Sequence, residues 1–348
     1  MGFVDNLGTQ MSTDPEDEWG TLDDEVKTLV SRVVVPPVGD RMLRFIGRAI
    51  ESHELNQLAF QAAQLIQTTL PHRKPTPSVA DGPNVGEASV YVRKNGTASL
   101  IIQSGRDRDG KNIGIPYGST ARLLVSFITR EAIRKQSRHL FLGSTLTEFC
   151  RAVGLNPAHG GTMRTVREQL RRLLSCSIVF VNHREFPDGD YEERLNLPVA
   201  TFARLWFWTR GRAADPDQAS LFGQSEVLLN ADFYDALIKS PVPLNMNVLK
   251  ALRGSPLAID IYSWGRYRAF VAKERRVVSW WLLGEQFGQG YNDIKNFKKA
   301  FKAALAKVLV ADPLVKLKVV SGGVEVTPSR HHLRQRKGHP IGIGVPTV

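Results

Sequence analysis

The stretch "GGTMRTVREQLRRLLSC", residues 160–176, decides the fold. Met163, Val166, Leu170, Leu173 and Leu174 recur at the spacing of a helical apolar stripe. Arg164, Arg167 and Arg171 keep the same i, i+3, i+7 rhythm, displaced by one residue. This helix turns an apolar face to a core and sets a basic face beside it, toward solvent. Thr162, after two glycines, is the expected N-cap. Arginines on a surface helix are often merely solvated, so the neighbouring sequence decides what this face meets.

Working outward, "GSTARLLVSFITREAIRKQ" (118–136) has amphipathic helical periodicity and "HLFLG" (139–143) reads as a short extended piece. "STLTEFCRAVGL" (144–155) is a short helix, with Thr145 and Glu148 spaced as a capping box and Gly154 at its C-terminus. "NPAHGG" is a tight turn into the arginine helix. "SCSIVFVNHRE" and "ERLNLPVATFARLWFW" then read as strands around the turn "FPDGDY". The order helix, short strand, helix, turn, helix, strand, turn, strand is that of a winged helix. In that fold the third helix enters the major groove and the hairpin wing touches the backbone.

The order recurs. "NVLKALRGS" and "PLAIDIYSWGRYRAFVAKE" (247–274) read as helices, and "VVSWWLLGEQFG" (277–288) as a short helix capped by Ser279. After the turn "QGYN" comes "NDIKNFKKAFKAALAKVLV" (292–310), with Asn292 as its cap. Its apolar stripe is Ile294, Phe297, Phe301, Leu305 and Val308. Lys295, Lys298 and Lys302 repeat the spacing of the three arginines, with Lys299 beside them. "LVKLKVV", "SGG" and "VEVTP" form a second wing. Two basic helices in the same place of a repeated order point to DNA. Arginine reads guanine bidentately, so the arginine helix is expected to read bases and the lysine helix to neutralise phosphates. Glu168 and Gln169 lie near the arginine face, where Gln169 either pairs with adenine or is solvated. Arg184 in the first wing, and Lys316 and Lys318 in the second, are candidates for backbone contacts.

Charge fits this reading. The 348 residues carry 46 Lys and Arg against 34 Asp and Glu, a formal net charge of +12. Eight of the acids (Asp5, Asp14, Glu16, Asp17, Glu18, Asp23, Asp24 and Glu25) fall in the first 26 residues, which hold no Lys or Arg. The rest is strongly basic and suits a polyanionic partner. No apolar run is long enough to span a bilayer, and no signal peptide is visible. Cys150 and Cys176 read as reduced core residues of a cytoplasmic protein.

The expected organisation is α+β. An acidic disordered tail (1–25) is followed by a helical segment and linker (26–84). Two tandem winged-helix domains (85–212 and 213–330) and a flexible basic tail (331–348) complete it. The helix spans about 40–70, carrying Leu43, Ile46, Ile50, Leu58, Ala62, Leu65 and Ile66, and ends at Pro71. It is either a dimer contact or a brace on the first domain. "PHRKPTPSVADGPN" (71–84) reads as a linker. "ASVYV" and "ASLIIQ" form a hairpin around Asn95-Gly96, and "NIGIP" a further short strand. Trp280 and Trp281, and Trp206 and Trp208, read as core rather than as stacking platforms. Arg330, Arg334, Arg336 and Lys337 make the C-terminal arm basic, which adds non-specific DNA affinity.

Catalysis is not expected. A nicking enzyme needs two histidines separated by one apolar residue to hold a divalent metal, and a tyrosine nucleophile. His331 and His332 are adjacent, and His339 has no carboxylate or thiol nearby. "GEQFGQG" lacks the Lys-Ser/Thr of a phosphate loop. No metal or cofactor is implied.

Three strings carry a family likeness: "IPYGSTARLLVSFITREAIRKQSRHLFLGSTLTEFCRAVGL" (115–155), "GGTMRTVREQLRRLLSCSI" (160–178) and "LNADFYDALIKSPVPLNMNVLKALRGSPLAIDIYSWGRYR" (229–268). They resemble the plasmid-encoded RepA replication initiators, over roughly residues 85–330. The resemblance implies a bacterial, plasmid-associated, cytoplasmic protein that binds iteron repeats in double-stranded origin DNA. It further implies opening of adjacent AT-rich DNA, recruitment of host initiator and replicative helicase, a homodimeric form, and repression of the protein's own gene. The alternative is a winged-helix transcriptional repressor without initiator activity. The ten candidate contact residues come from the helix and wing patterns, not from the resemblance.

Overall fold

The computed structural model describes residues 58–78, 86–143, 145–186, 189–205, 225–239 and 241–329. The acidic tail, the 40–57 part of the expected helix, Trp206, Trp208 and the basic tail lie outside these residues, as does the expected boundary at 212/213.

Strand β1 (Leu58–Ala62) and the one-turn helix α1 (Ala63–Gln67) come first, then the hairpin β2 (Val90–Asn95) and β3 (Ala98–Gln103). The first basic unit follows as α2 (Gly118–Lys135), β4 (His139–Gly143), α3 (Leu146–Val153), α4 (Thr162–Ser175), β5 (Ser177–Phe186) and β6 (Gly189–Pro198). Strands β7 (Ala200–Arg204) and β8 (Ser225–Leu229), helix α5 (Ala231–Lys239), strand β9 (Pro241–Asn245) and helix α6 (Met246–Ala251) lead to the second unit. That unit is α7 (Pro256–Val271), β10 (Arg276–Ser279), α8 (Trp280–Phe287), α9 (Ile294–Ala311), β11 (Leu317–Val320) and β12 (Gly323–Val326). The chain is thus mixed α/β, with every named sheet antiparallel.

The order helix, strand, helix, helix, hairpin occurs twice, but the strands pair differently. In the second unit the short strand joins the hairpin, giving the sheet β10-β12-β11. In the first unit β4 pairs with β8 in the sheet β4-β8-β7. The hairpin β5–β6 is instead extended by β3 and β2 into a four-stranded sheet. "NIGIP" forms no strand; it contributes a single bridge, Arg106 to Asn112.

Caps explain where several helices begin. The Thr145 side chain accepts from the Glu148 N–H at 3.1 Å, and Gly154 ends α3 at φ +90°. Ser279 caps α8 by accepting from Leu282. Two expected caps are displaced. Gly161, at φ +81°, is the N-cap of α4, and Thr162 is its first residue. Asp293 caps α9 in place of Asn292, its carboxylate accepting from the Asn296 N–H at 2.7 Å. A carboxylate is well placed against the positive end of a helix.

The segment before the first unit departs most from expectation. Leu58–Ala62 is not helical: it pairs residue for residue with Pro241–Asn245. Tertiary pairing overrides helical propensity here. Residues 70–72 are no loose linker either. Leu70 and Pro71 are buried, and their carbonyls accept hydrogen bonds from Arg122 at 2.6 and 3.1 Å. The Ile66 and Gln67 carbonyls accept from Gln286 Nε2 at 3.1 Å each, and Asn95 also donates to Gln67. This strap therefore carries its unpaired backbone acceptors into side chains of both units, as buried carbonyls require.

At the junction Arg122 (α2) meets Asp260 (α7) with Nε–Oδ1 and Nη2–Oδ2 both 2.7 Å. Nη1 also donates to Gly118 O, so all five guanidinium N–H groups are used. His72 Nε2 lies 2.8 Å from Asp260 Oδ2. Burial alone would raise the Asp260 pKa; the Arg122 charge and the His72 and Arg122 hydrogen bonds overcome this and hold it down at about 2. Burial lowers the His72 pKa against the pull of Asp260. Around this junction one hydrophobic cluster runs from Ala59 to Val326 and includes both units. Helix α7 is buried on nearly every side, which marks it as the central helix.

Gly323 closes the second hairpin sheet. A Cβ there would overlap the Val278 carbonyl oxygen and lie 2.8 Å from its carbon, backbone that cannot step aside. Gly323→Ala is expected to cost about 1–3 kcal/mol, the usual range for overpacking. The urea midpoint of the variant checks it.

Candidate nucleic-acid interface

Helix α4 is seated by its apolar stripe and by two polar residues the stripe does not predict. Val166, Leu170, Leu173 and Leu174 are buried. Arg172 is buried too: it clamps Glu87 through both terminal nitrogens at 2.8 and 3.0 Å and takes Glu168 at 2.7 Å. Burial pushes the Glu87 pKa up, but the hydrogen bonds from Arg172 and Lys74 outweigh it and the net shift is downward. Gln169 is 1% exposed, and its side-chain oxygen accepts from the Tyr117 N–H at 2.8 Å. It neither reads adenine nor meets solvent; it locks the start of α2 to α4.

With those residues turned inward, Arg164, Arg167 and Arg171 are all exposed on the remaining face of α4. Seven residues at 1.5 Å each spread them over about 10 Å of helix. Arg167 and Arg171 also line an open groove with Leu174, Ser175, Ala203 and Leu205. Arg184 is exposed on β5, opposite Tyr191 near the hairpin end.

In the second unit Phe297, Phe301, Leu305 and Val308 are buried, while Ile294, expected in the stripe, is 46% exposed. Lys295, Lys299 and Lys302 are exposed and Lys298 is half-buried. Trp280 explains Lys298. The Trp280 ring is buried edge-on to Phe301, its Nε1 donates to Ser321 O, and the Lys298 and Lys302 ammoniums stand 5.7 and 5.8 Å from the ring centroid. This core tryptophan thus holds two lysines of the basic face by cation–π attraction. Trp281 is not core: it is 69% exposed, because the next position on α8 points away from α9. Lys316 and Lys318 are exposed, Lys318 directly across the ladder from Glu325.

Nine of the ten candidate residues are exposed and Lys298 is half-buried, and those on α4 and α9 stand opposite packed apolar faces. They divide into an arginine group on α4 and β5 and a lysine group on α9 and β11, with Lys316 just before β11. Cys150 and Cys176 are free and buried, and burial pushes the Cys176 thiol up to about 12, which keeps it protonated. Among the described residues no group of His, Cys, Asp or Glu is arranged to hold a metal, and no helix is long and apolar enough to cross a membrane.

Residues 115–281 match the family described as plasmid encoded RepA protein. That segment is similar to the plasmid RepA family. It runs from the entry to α2 as far as Trp281, narrower than the 85–330 resemblance, and holds the arginine group. The lysine group lies beyond it. No curated protein matches the chain. Among solved structures, it is similar to domain 2 and domain 3 of RctB, at 12% identity and a TM-score of 0.44, covering 71% of this chain and 94% of that one. A second structure of RctB domains 2–3 gives 13% identity and a TM-score of 0.42, covering 74% and 87%.

Proposed function

We propose that the protein is a non-enzymatic plasmid replication initiator that binds double-stranded origin DNA through two winged-helix units. The carrying observation is the pair of exposed basic helices, α4 and α9, each third in the same element order and each followed by a hairpin. The likeness of residues 115–281 to the plasmid RepA family supports plasmid replication as the setting. The sites are iteron repeats of about two helical turns, roughly 20 bp, if both units engage one face of the duplex. Binding leads to opening of adjacent DNA and recruitment of host initiator and helicase in the bacterial cytoplasm. A dimeric form represses the protein's own gene.

The role split between the helices gives a separable outcome. Lys298→Ala is expected to weaken binding to every duplex alike and to reduce the salt dependence by about one contact. Titrations at several salt concentrations on two unrelated duplexes check it.

The initiation reading is tested in cells. A marker plasmid carrying only the DNA that flanks the coding region should replicate when the protein is supplied in trans. Silencing of the flanking promoter without replication would instead identify a repressor built on the same two units.

A further inference from the structure

The turn between β3 and α2, "SGRDRDGKN" (104–112), lies outside every element assigned to DNA so far, yet it is built against the arginine helix. Gly105 packs on Ser175, the last residue of α4: a Cβ there would overlap the Ser175 carbonyl oxygen and lie 2.7 Å from its Cβ. Backbone bonds Ile113 N–H to Gly105 O and Asp107 N–H to Lys111 O zip the turn. At its tip the Asp107 carboxylate accepts the N–H groups of Asp109 and Lys111, each at 2.9 Å, and Gly110 takes φ +75°. Those backbone bonds, with the nearby charges of Arg171 and Lys111, keep the Asp107 pKa low. Its carboxylate is thus engaged by the backbone of the turn itself.

What the turn presents outward is cationic. The Arg108 side chain is 93% exposed, with the exposed Asp109 carboxylate 3.6 Å away. Lys111 is exposed, and Arg106 is tied back to Gly110 O at 3.1 Å. A rigid turn fixed to the end of a major-groove helix loses little entropy on meeting the strand beside that groove. We propose that Arg108 and Lys111 form a further DNA-contacting element that grips backbone phosphates flanking the α4 site. This rests on the reading of α4 as a DNA-reading helix. Phosphate contacts of this kind fix position and carry no sequence information.

The test is the full-length protein carrying Arg108→Gln and Lys111→Gln, titrated against genomic-length random duplex at a series of salt concentrations. Both side chains are exposed, so the thermal midpoint should match wild type. The slope of log affinity against log salt should fall by nearly two, about 0.9 for each phosphate contact removed. Arg108→Lys should restore about half of that loss. An unchanged slope, beside an Arg167→Ala protein weakened on the DNA flanking its own coding region, would overturn the proposal and leave the α4 reading standing. Unchanged binding in Arg167→Ala as well would remove the α4 reading and this proposal together.

Discussion

Asp260→Asn is expected to destabilise the protein by about 3–5 kcal/mol, the cost of leaving one partner of a buried ion pair uncompensated. The Arg122 guanidinium has no solvent to turn to: its side chain is 2% exposed, and its other donors are already committed to Leu70, Pro71 and Gly118. The loss should reach both units, because the pair joins α2 to α7 beneath one continuous core. The double variant Arg122→Met/Asp260→Leu removes both charges but leaves the Leu70 and Pro71 carbonyls and His72 without their partners, so it should recover only part of the stability. Urea midpoints of the three proteins decide this.

The same junction sets the acid limb of stability. Asp260 has a folded pKa of about 2, below its ordinary 3.8. Its stabilising contribution is therefore complete above about pH 3.8 and is lost as pH falls toward 2. His72 is also lowered, from an ordinary 6.5, by burial. The unfolded chain thus takes up that proton first, and stability begins to fall as pH drops below 6.5. Asp260→Asn should remove the dependence between about pH 3.8 and 2 that this carboxylate causes.

The second large effect concerns binding rather than folding. Replacing Arg164, Arg167 and Arg171 together by alanine should abolish discrimination between the protein's own site and unrelated DNA. Each base-reading arginine is worth about 1–3 kcal/mol, and neighbouring losses on one helix are not strictly additive. Arg167→Ala alone should cost about 1–3 kcal/mol and relax a single position of the site. All three side chains are exposed, so the melting temperature should stay near wild type. A fall in discrimination with unchanged stability assigns the loss to the interface.

Much of this was readable from the residues. Periodicity located α4 and α9 and their basic faces, because a helix packed on one side must show its 3.6-residue rhythm. Gly154, Thr145 and Ser279 marked helix ends through local chemistry. What failed to show depends on long-range partners. Nothing near Leu58 announces that β9, some 180 residues later, will pair with it. Pro71 and its neighbours have the composition of a linker, but the acceptors they offer are taken by Arg122 and Gln286 from distant helices. Gln169 and Arg172 look like surface polar residues in the sequence. They are buried because Tyr117 and Glu87 come to meet them. Trp280 and Trp281 are adjacent and chemically identical, so only the packing of α8 on α9 tells them apart.

On the proposed function, the two basic helices read sequence and do not merely collect charge. The most direct test is titration of the purified protein against duplex DNA flanking its own coding region, beside a shuffled duplex of equal composition at the same moderate salt. Tight, stepwise complexes on tandem repeats of about 20 bp, and weak, salt-sensitive binding to the shuffled duplex, are expected. Equal affinity for both duplexes would contradict this reading and leave α4 and α9 as phosphate-binding surfaces alone.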